Sequence, residues 1–403
     1  MKRSKIVVSL LGVALAAGMA PAVAMAATPP TINQGAINLT QPVSGSSIKI
    51  GWEKDPAATK YAVRYSRSSS MKNAKVKYFS KGTTSTTITN LKAGYNYWFQ
   101  VRAYGKTTSK TPKYKWSKAR HCPTAYKGKA NSYSWAKLKS ISKKISACKS
   151  KSAALSVARS YGLIGASKRL SGYEYKTLKI NGKTFRAQIV DFWKDKRKDG
   201  TRAGITFMLK ECTGYMPFDV DGGIDWVKSD TRTQMNNSYK DFYPTDLGKY
   251  ICAVKRINWN GDFNTSTCYD YVSIPSVVEL WGPDTAAQIS TGWKDRDLKG
   301  ECQYKYFADC NVGTFTKWTI WDCDELGDGP EKSDWYRNSS SVQMGIRLAK
   351  STFNGAATGF WTRDASDFDD DQVFHSSRSG ELLHFSSSNV QTASFGIRPV
   401  FCI

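Results

Sequence analysis

Histidine is scarce in this sequence. His121, His375 and His384 are the only three in 403 residues. None stands in a Gly-x-Ser-x-Gly, His-Glu-x-x-His or Cys-His arrangement beside a nucleophile, so the common hydrolase and metalloprotease signatures are missing. The nine cysteines contain no Cys-x-x-Cys pair, which argues against a structural zinc site. Past residue 17 no apolar run is long enough to cross a bilayer. The largest deficit is of acid. Between Ala27 and Lys151 two carboxylates, Glu53 and Asp55, face twenty-five Lys and Arg. The formal charge of +26 lies wholly in residues 1–151, because residues 152–403 balance. Such asymmetry points to a polyanionic partner for the first half. A chain of this length implies two or three domains, and 40% hydrophobic residues with 13% aromatics exclude wholesale disorder.

The N-terminus reads as a secretory signal peptide over residues 1–26. Met1 to Lys5 is basic, Ile6 to Ala17 is apolar, and Ala22-Val23-Ala24 and Ala24-Met25-Ala26 are small-x-small cleavage sites. The apolar run is too short for a membrane anchor. The mature chain is therefore expected to be secreted or surface-associated, where disulfides are permitted. Nine is odd, so one cysteine is unpaired or bonds another chain, and spacing leaves the connectivity open.

Residues 27–125 show short runs of period-two alternation, as half-buried antiparallel strands require. Ile48, Ile50 and Trp52 alternate, as do Tyr61, Val63 and Tyr65, and then Tyr97, Phe99, Val101 and Ala103. Leu91-x-x-Gly94-x-x-Tyr97 places a tyrosine at a strand start, where its hydroxyl can bond back to the preceding corner. With Trp52, Tyr61 to Tyr65 and Trp116-Ser117, these residues resemble a fibronectin type III domain. The resemblance implies an all-β sandwich serving as spacer or adhesive module, with Trp52, Leu91 and Tyr97 in its core and no chemistry of its own.

Residues 126–171 change character. Trp135, Leu138, Ile141, Ile145 and Cys148 fall at three-and-four spacing, with lysines on the other face. This is a basic helical connector that could lie on an anionic membrane, though packing against a neighbouring domain is favoured. From residue 172 to 403, strands and short helices mix without βαβ order, which reads as an α+β domain. Asn181-Gly182 between alternating runs signals a hairpin. Trp361-Thr-Arg363 and Gly396 to Phe401 are expected as two strands of one sheet with a hairpin between them. The Val-Phe-Cys-Ile403 ending is expected in a core.

Several motifs span this second part. They are Trp226-x-x-Ser229-x-x-Arg232-x-x-Met235-Asn236, Pro244-x-Asp246-Leu247, Ile251-x-x-Val254-x-Arg256, Ile274-Pro275-Ser276-x-x-Glu279, Trp361-Thr-Arg363-Asp364 and Gly396-Ile-Arg398-Pro399-Val-Phe401. In this order they resemble a domain of unknown function common in secreted and surface proteins of Gram-positive bacteria. The last two also look similar to the final sheet of C-type-lectin-like folds. That resemblance implies a sugar- or protein-binding surface, or the formylglycine-generating oxidase chemistry. Arg232, Arg363 and Arg398 are read as structural partners of carboxylates in preference to ligands for an anion.

Candidate ligand-binding residues are Trp318, Trp321, Asp322, Asp324, Trp335 and Tyr336, where aromatic faces stand beside carboxylates as a sugar site requires. Trp259-Asn260-Gly-Asp262 is a second such cluster. Asp367, Asp369, Asp370 and Asp371 are the first candidates for calcium; Asp219 to Asp225 and Asp322 to Asp328 follow. No other cofactor and no catalytic residue is assigned. The expected function is an adhesin-like binding protein: a basic half on cell-wall polyanions or glycans, and a C-terminal domain recognising a carbohydrate or a host or bacterial surface protein. Nucleic acid is not expected as a physiological partner. The competing class is an enzyme, either a glycan hydrolase using loop carboxylates or the oxidase, which needs two nearby reactive cysteines such as Cys302 and Cys310.

Overall fold

A computed structural model describes residues 37–56, 58–105, 115–260, 265–282, 302–310, 350–365, 373–378, 382–383, 390–391 and 394–403. The chain is a β-rich, multidomain protein.

Among the described residues, the first unit holds seven strands: β1 (Ile37–Ser44), β2 (Ser47–Trp52), β3 (Lys60–Ser66), β4 (Lys75–Ser80), β5 (Ser85–Ile88), β6 (Asn96–Tyr104) and β7 (Arg120–Pro123). They form two antiparallel sheets, ordered β1-β2-β5 and β4-β3-β6-β7. Alternation decides which side chains meet between them. Tyr61, Val63, Phe99, Val101 and Ala103 point inward and are fully buried with Ile48, Ile50 and Ile88. Trp52 packs tilted against Tyr61 and Phe79, with ring centroids 5.7 and 5.6 Å away. The Tyr97 hydroxyl accepts the Lys92 N–H at 2.9 Å, closing the corner before β6. Gly94 turns that corner at φ +72°, which favours glycine.

Two helices follow, α1 (Trp135–Ser146) and α2 (Lys151–Ser160), each capped by a serine. Trp135, Leu138, Ile141 and Ile145 fill the buried stripe of α1. This stretch, read from the sequence as a connector, belongs to the core of the second unit. Trp135 meets Phe207 and Phe401 edge-on at 5.5 and 6.3 Å. At Ser142 the helix lies so close that a Cβ on Gly204 would stand 2.1 Å from the Ser142 carbonyl oxygen.

The second unit continues with β8 (Tyr175–Ile180), β9 (Lys183–Phe192), β10 (Ile205–Leu209) and β11 (Tyr215–Met216). Next come α3 (Asp230–Asn237), α4 (Tyr239–Phe242), α5 (Thr245–Gly248), β12 (Val254–Trp259), β13 (Thr265–Asp270), β14 (Val272–Ser273), α6 (Val277–Trp281) and α7 (Lys305–Asp309). The last strands are β15 (Ser351–Phe353), β16 (Ala356–Thr358), β17 (Phe360–Ala365), β18 (Val373–Ser376), β19 (Leu382–Leu383), β20 (Phe395–Gly396) and β21 (Val400–Cys402). One sheet runs β14-β21-β10-β9-β8 and another β11-β20-β17-β18-β19. The Asn-Gly hairpin joins β8 to β9, with Asn181 at φ +48° and Gly182 at φ +76°. That pair of positive angles is what a two-residue turn between twisted strands needs.

The C-terminal strands differ from the expected hairpin. β17 pairs antiparallel with β18, while β20 lies parallel to β17 through Phe360 and Gly396. The chain then crosses to the other sheet, where β21 sits between β10 and β14. Arg398-Pro399 is the crossing point: Pro399 cannot donate to a ladder, and its carbonyl accepts Leu209 N–H at 2.9 Å. Ile403 is fully buried; its N–H donates to Ile205 O, and its carbonyl accepts Ser142 Oγ.

Candidate functional site

The outer row of the four-stranded sheet carries cations and rings. In register, Lys60 faces Tyr104, Ala62 faces Tyr78 and Arg102, and Arg64 faces Val76 and Gln100. Period two turns all of these away from the core. Tyr78 is 63% exposed. Trp116 lies over this face: the guanidinium groups of Arg64 and Arg102 stand 4.5 and 4.3 Å from its ring centroid. Lys60 Nζ is 4.9 Å from the Tyr104 ring and 5.6 Å from Tyr78. Stacking orients a guanidinium while leaving its N–H edges for a ligand.

Among the described residues, Lys60, Arg64 and Arg102 have no carboxylate partner. Arg64 Nε donates to Gln100 Oε1 at 2.8 Å, and Arg102 Nη2 donates to the Tyr104 hydroxyl at 2.7 Å. Arg102 Nε is buried with no acceptor. Partial burial, then the like charge of Arg102, hold Arg64 below its ordinary value. Two like charges held together without a counterion are the arrangement an anion relieves.

The second unit has an electrostatic centre of another kind. Glu279, 1% exposed, accepts from Arg363 at 2.5 Å, Lys194 at 3.2 Å and Arg256 at 3.3 Å. Arg256 also bonds Asp195 at 2.8 Å, and Lys194 stacks 3.9 Å from the Tyr304 ring. Burial alone would raise both carboxyls; Arg363 and Lys194 hold Glu279 well below its ordinary value, and Arg256 and Lys194 hold Asp195 down. Glu279 also completes a capping box with Ser276 at the start of α6. A buried carboxylate kept ionised by three cations has no proton to donate. The centre therefore ties α6, β12 and β17 together.

The motif residues are placed around this framework. Ser229 caps α3 through the Arg232 N–H. Arg232 Nε and Trp226 Nε1 both donate to Asp270, at 2.7 and 2.8 Å. Asn236 accepts from Tyr271 N and donates to the Val272 carbonyl. Trp361 Nε1 donates to the Met216 carbonyl at 3.0 Å. Arg398, 1% exposed, donates to the Leu209 carbonyl and lies 5.1 Å from the Phe360 ring. Gly396 leaves no room for a side chain, since a Cβ would meet Cys212 Sγ at 2.5 Å.

Trp318, Trp321, Asp322, Asp324, Trp335 and Tyr336 lie outside the described residues, as do Asp367, Asp369, Asp370 and Asp371. Trp259 is 1% exposed, a core residue and no platform. The Asp219 carboxylate is taken by its own turn, accepting from Asp221 N and Gly223 N, and Asp225 accepts from Val227 N and from Ser266 Oγ on β13. Among the described residues, no group of three His, Cys, Asp or Glu could hold a metal ion. The two cysteines suggested for oxidase chemistry are unlike. Cys310 is fully buried with its thiol donating to the Leu170 carbonyl, while Cys302 is exposed.

A cavity of about 240 Å³ went unread in the sequence. Met216, Met235, Phe242, Tyr243, Val272, Ile397 and Pro399 wall it, with Thr213, Gln234 and Ser238 as polar neighbours. Tyr243, 3% exposed, belongs to this wall, and its hydroxyl has no hydrogen-bond partner. Met235 and Pro399 stood in the motifs, yet nothing in their spacing indicated that α3, β14 and the β20–β21 crossing would enclose a space.

The comparisons with known proteins concern the first unit. The sequence pattern of the fibronectin type III domain family matches residues 29–118. Among solved structures, the FN1–FN3 domains of chicken CNTN1 are 20% identical over 24% of this chain and 31% of that one, with a TM-score of 0.21. The FN5 domain of Drosophila Lar is 19% identical over 24% of this chain and 97% of that chain, with a TM-score of 0.20. The third fibronectin III domain of the human KIAA0343 protein is 19% identical over 24% and 82%, also at 0.20. No curated protein matches the chain. Sheet order, corner bond and family match agree that the N-terminal sandwich is a fibronectin type III domain.

Proposed function

We propose that this is an exported binding protein that holds polyanions on its fibronectin domain. The observation that carries the reading is the set of Arg64, Arg102 and Trp116 on one open sheet face, where two guanidinium groups share a ring and meet no carboxylate among the described residues. The charge around it is of one sign, since Glu53 and Asp55 are the only acids between Ala27 and Lys151. A phosphate- or sulfate-bearing polymer supplies the missing counter-charge, and its sugar or glycerol units offer C–H surface to Tyr78 and Trp116. Cell-wall polyanions fit this chemistry once the signal peptide has been removed.

The second domain, α+β and related to C-type-lectin-like folds on this reading, supplies the selective contact. Its cavity of about 240 Å³ is walled by rings and thioethers beside Thr213, Gln234 and Ser238. Such a site takes one small ring of a carbohydrate or a side chain of a surface protein.

The test is binding of the full chain to immobilised dextran sulfate and to neutral dextran, at ~0.05 M and ~0.15 M salt. The Debye length shortens from ~14 to ~8 Å across that range. Retention on dextran sulfate that weakens steeply with salt, with none on neutral dextran, supports the reading. Equal retention on both polymers refutes it.

A further inference from the structure

The cavity between α3, β14 and the β20–β21 crossing is graded from floor to mouth. Tyr243, Val272, Ile397 and Pro399 are buried and form its floor, while Gln234 and Ser238 are exposed and stand at its rim. Met216 and Met235, both half-buried, flank it together with Phe242. None of its described lining residues carries a charge. The ligand is therefore neutral, since an ion would lose its hydration here and meet no counter-charge.

Size, wall and rim narrow the chemistry further. A dry cavity of about 150 Å³ takes benzene, so the space of about 240 Å³ between these residues holds two fused rings. Thioethers such as Met216 and Met235 make favourable contacts with aromatic rings. Phe242 and Tyr243 add rings of their own, edge-on to one another at 5.3 Å. A pyranose fits this wall poorly. Each of its hydroxyls needs a partner when buried, and the Tyr243 phenol is the one polar side-chain group on the floor. At the rim, the Ser238 hydroxyl donates its proton to the Gln234 carbonyl at 2.6 Å. Thr213 Oγ1 donates in the same way to the Ile397 carbonyl at 3.4 Å. A hydroxyl whose proton is committed keeps its lone pairs. Both residues thus present acceptors, and the ligand must bring the donor.

We propose that this cavity receives a neutral, fused aromatic ring of the indole class, its apolar edge on the floor and its single N–H donating to Ser238 Oγ at the rim. The ring belongs either to a free small molecule or to a tryptophan side chain of a surface protein. The proposal rests on the reading of this cavity as the selective contact of the second domain, and it is independent of the polyanion face on the fibronectin domain.

The experiment is isothermal titration of the full chain with indole, benzofuran, N-acetyltryptophanamide and methyl glucoside. Benzofuran keeps the fused rings and replaces the N–H by an oxygen that cannot donate. Indole should bind at one site, and benzofuran about fivefold more weakly, as the loss of one hydrogen bond predicts. Ser238→Ala should weaken indole by the same factor of about five and leave benzofuran unchanged, a difference that a general loss of fold would not produce. Binding of N-acetyltryptophanamide alongside indole upholds the proposal and assigns the ring to a protein side chain. Binding of indole without it upholds the proposal and assigns a free small molecule. Equal affinity for indole and benzofuran, or an unchanged indole affinity in Ser238→Ala, overturns it. Saturable binding of methyl glucoside without indole overturns it and leaves the cavity reading standing. Binding of none of the four overturns both.

Discussion

Glu279→Gln is the sharpest perturbation of the second domain. The substitution keeps the size of the side chain and its capping bond from Ser276 N, and removes one charge. Lys194, Arg256 and Arg363 would then share a buried space with one carboxylate fewer. Removing one partner from a buried ionic cluster costs about 3–5 kcal/mol, because the cations left behind remain desolvated. In a domain of this size that corresponds to a midpoint about 10 °C lower. Thermal unfolding followed by circular dichroism reads the shift. Arg363→Met should cost a similar amount, and the double variant should be milder than the sum of the two, since the second change removes a charge that the first stranded. Because Glu279 is held well below its ordinary value, its contribution is present above the unfolded pKa and is lost as pH falls toward the folded one. A loss under 2 °C for Glu279→Gln, or strict additivity in the double variant, would refute the reasoning.

Four further outcomes follow from named contacts. Tyr243→Phe should stabilise the free protein by about 1 kcal/mol in denaturant titration, because the hydroxyl it removes is buried without a partner; a loss of stability would mean the hydroxyl is satisfied. Trp135→Ala should cost about 3–5 kcal/mol by the same assay, since the ring fills the space between Phe207 and Phe401. Burial raises the fully enclosed Glu174 to about 7. The folded chain keeps a proton that the unfolded chain releases near pH 4.5. The stability of wild type relative to Glu174→Gln should therefore fall by about 3 kcal/mol as pH rises from 4.5 through 7. Burial lowers His375 to about 4, so relative to His375→Phe the wild type should lose about 3 kcal/mol as pH falls from 6.5 through 4. Denaturation midpoints across pH check both slopes.

The sandwich was legible because its signals are local. Alternation at Tyr61, Val63 and Tyr65, and the Leu91–Gly94–Tyr97 spacing, each specify one strand or corner without reference to distant chain. The Asn181-Gly182 turn is local in the same sense. The amphipathic spacing of α1 was equally plain, but nothing in it said that Trp135 would meet Phe207 and Phe401, far along the chain. The C-terminal strands misled for a related reason. Trp361 and Gly396 do share a sheet, but parallel pairing and the crossing at Pro399 depend on which distant strands, β10 and β14, stand ready to receive β21. Of the arginines expected to meet carboxylates, Arg232 meets Asp270 and Arg363 meets Glu279, whereas Arg398 donates to the Leu209 carbonyl. The aromatic and acidic stretch at 318–336 lies outside the described residues. The Arg64–Trp116–Arg102 face went unread because its parts come from three segments and are joined by register alone.

The central claim is that this face, and not net charge alone, holds polyanions. The full chain should be compared on immobilised dextran sulfate with Arg64→Gln/Arg102→Gln and with Lys143→Gln/Lys149→Gln, which removes the same charge from the exposed side of α1 and the turn after it. Loss of the two arginine contacts should lower the slope of log affinity against log salt by about 1.4, at ~0.7 per contact. The lysine pair should leave the slope close to that of the wild type. Equal slopes for the two variants would contradict the account.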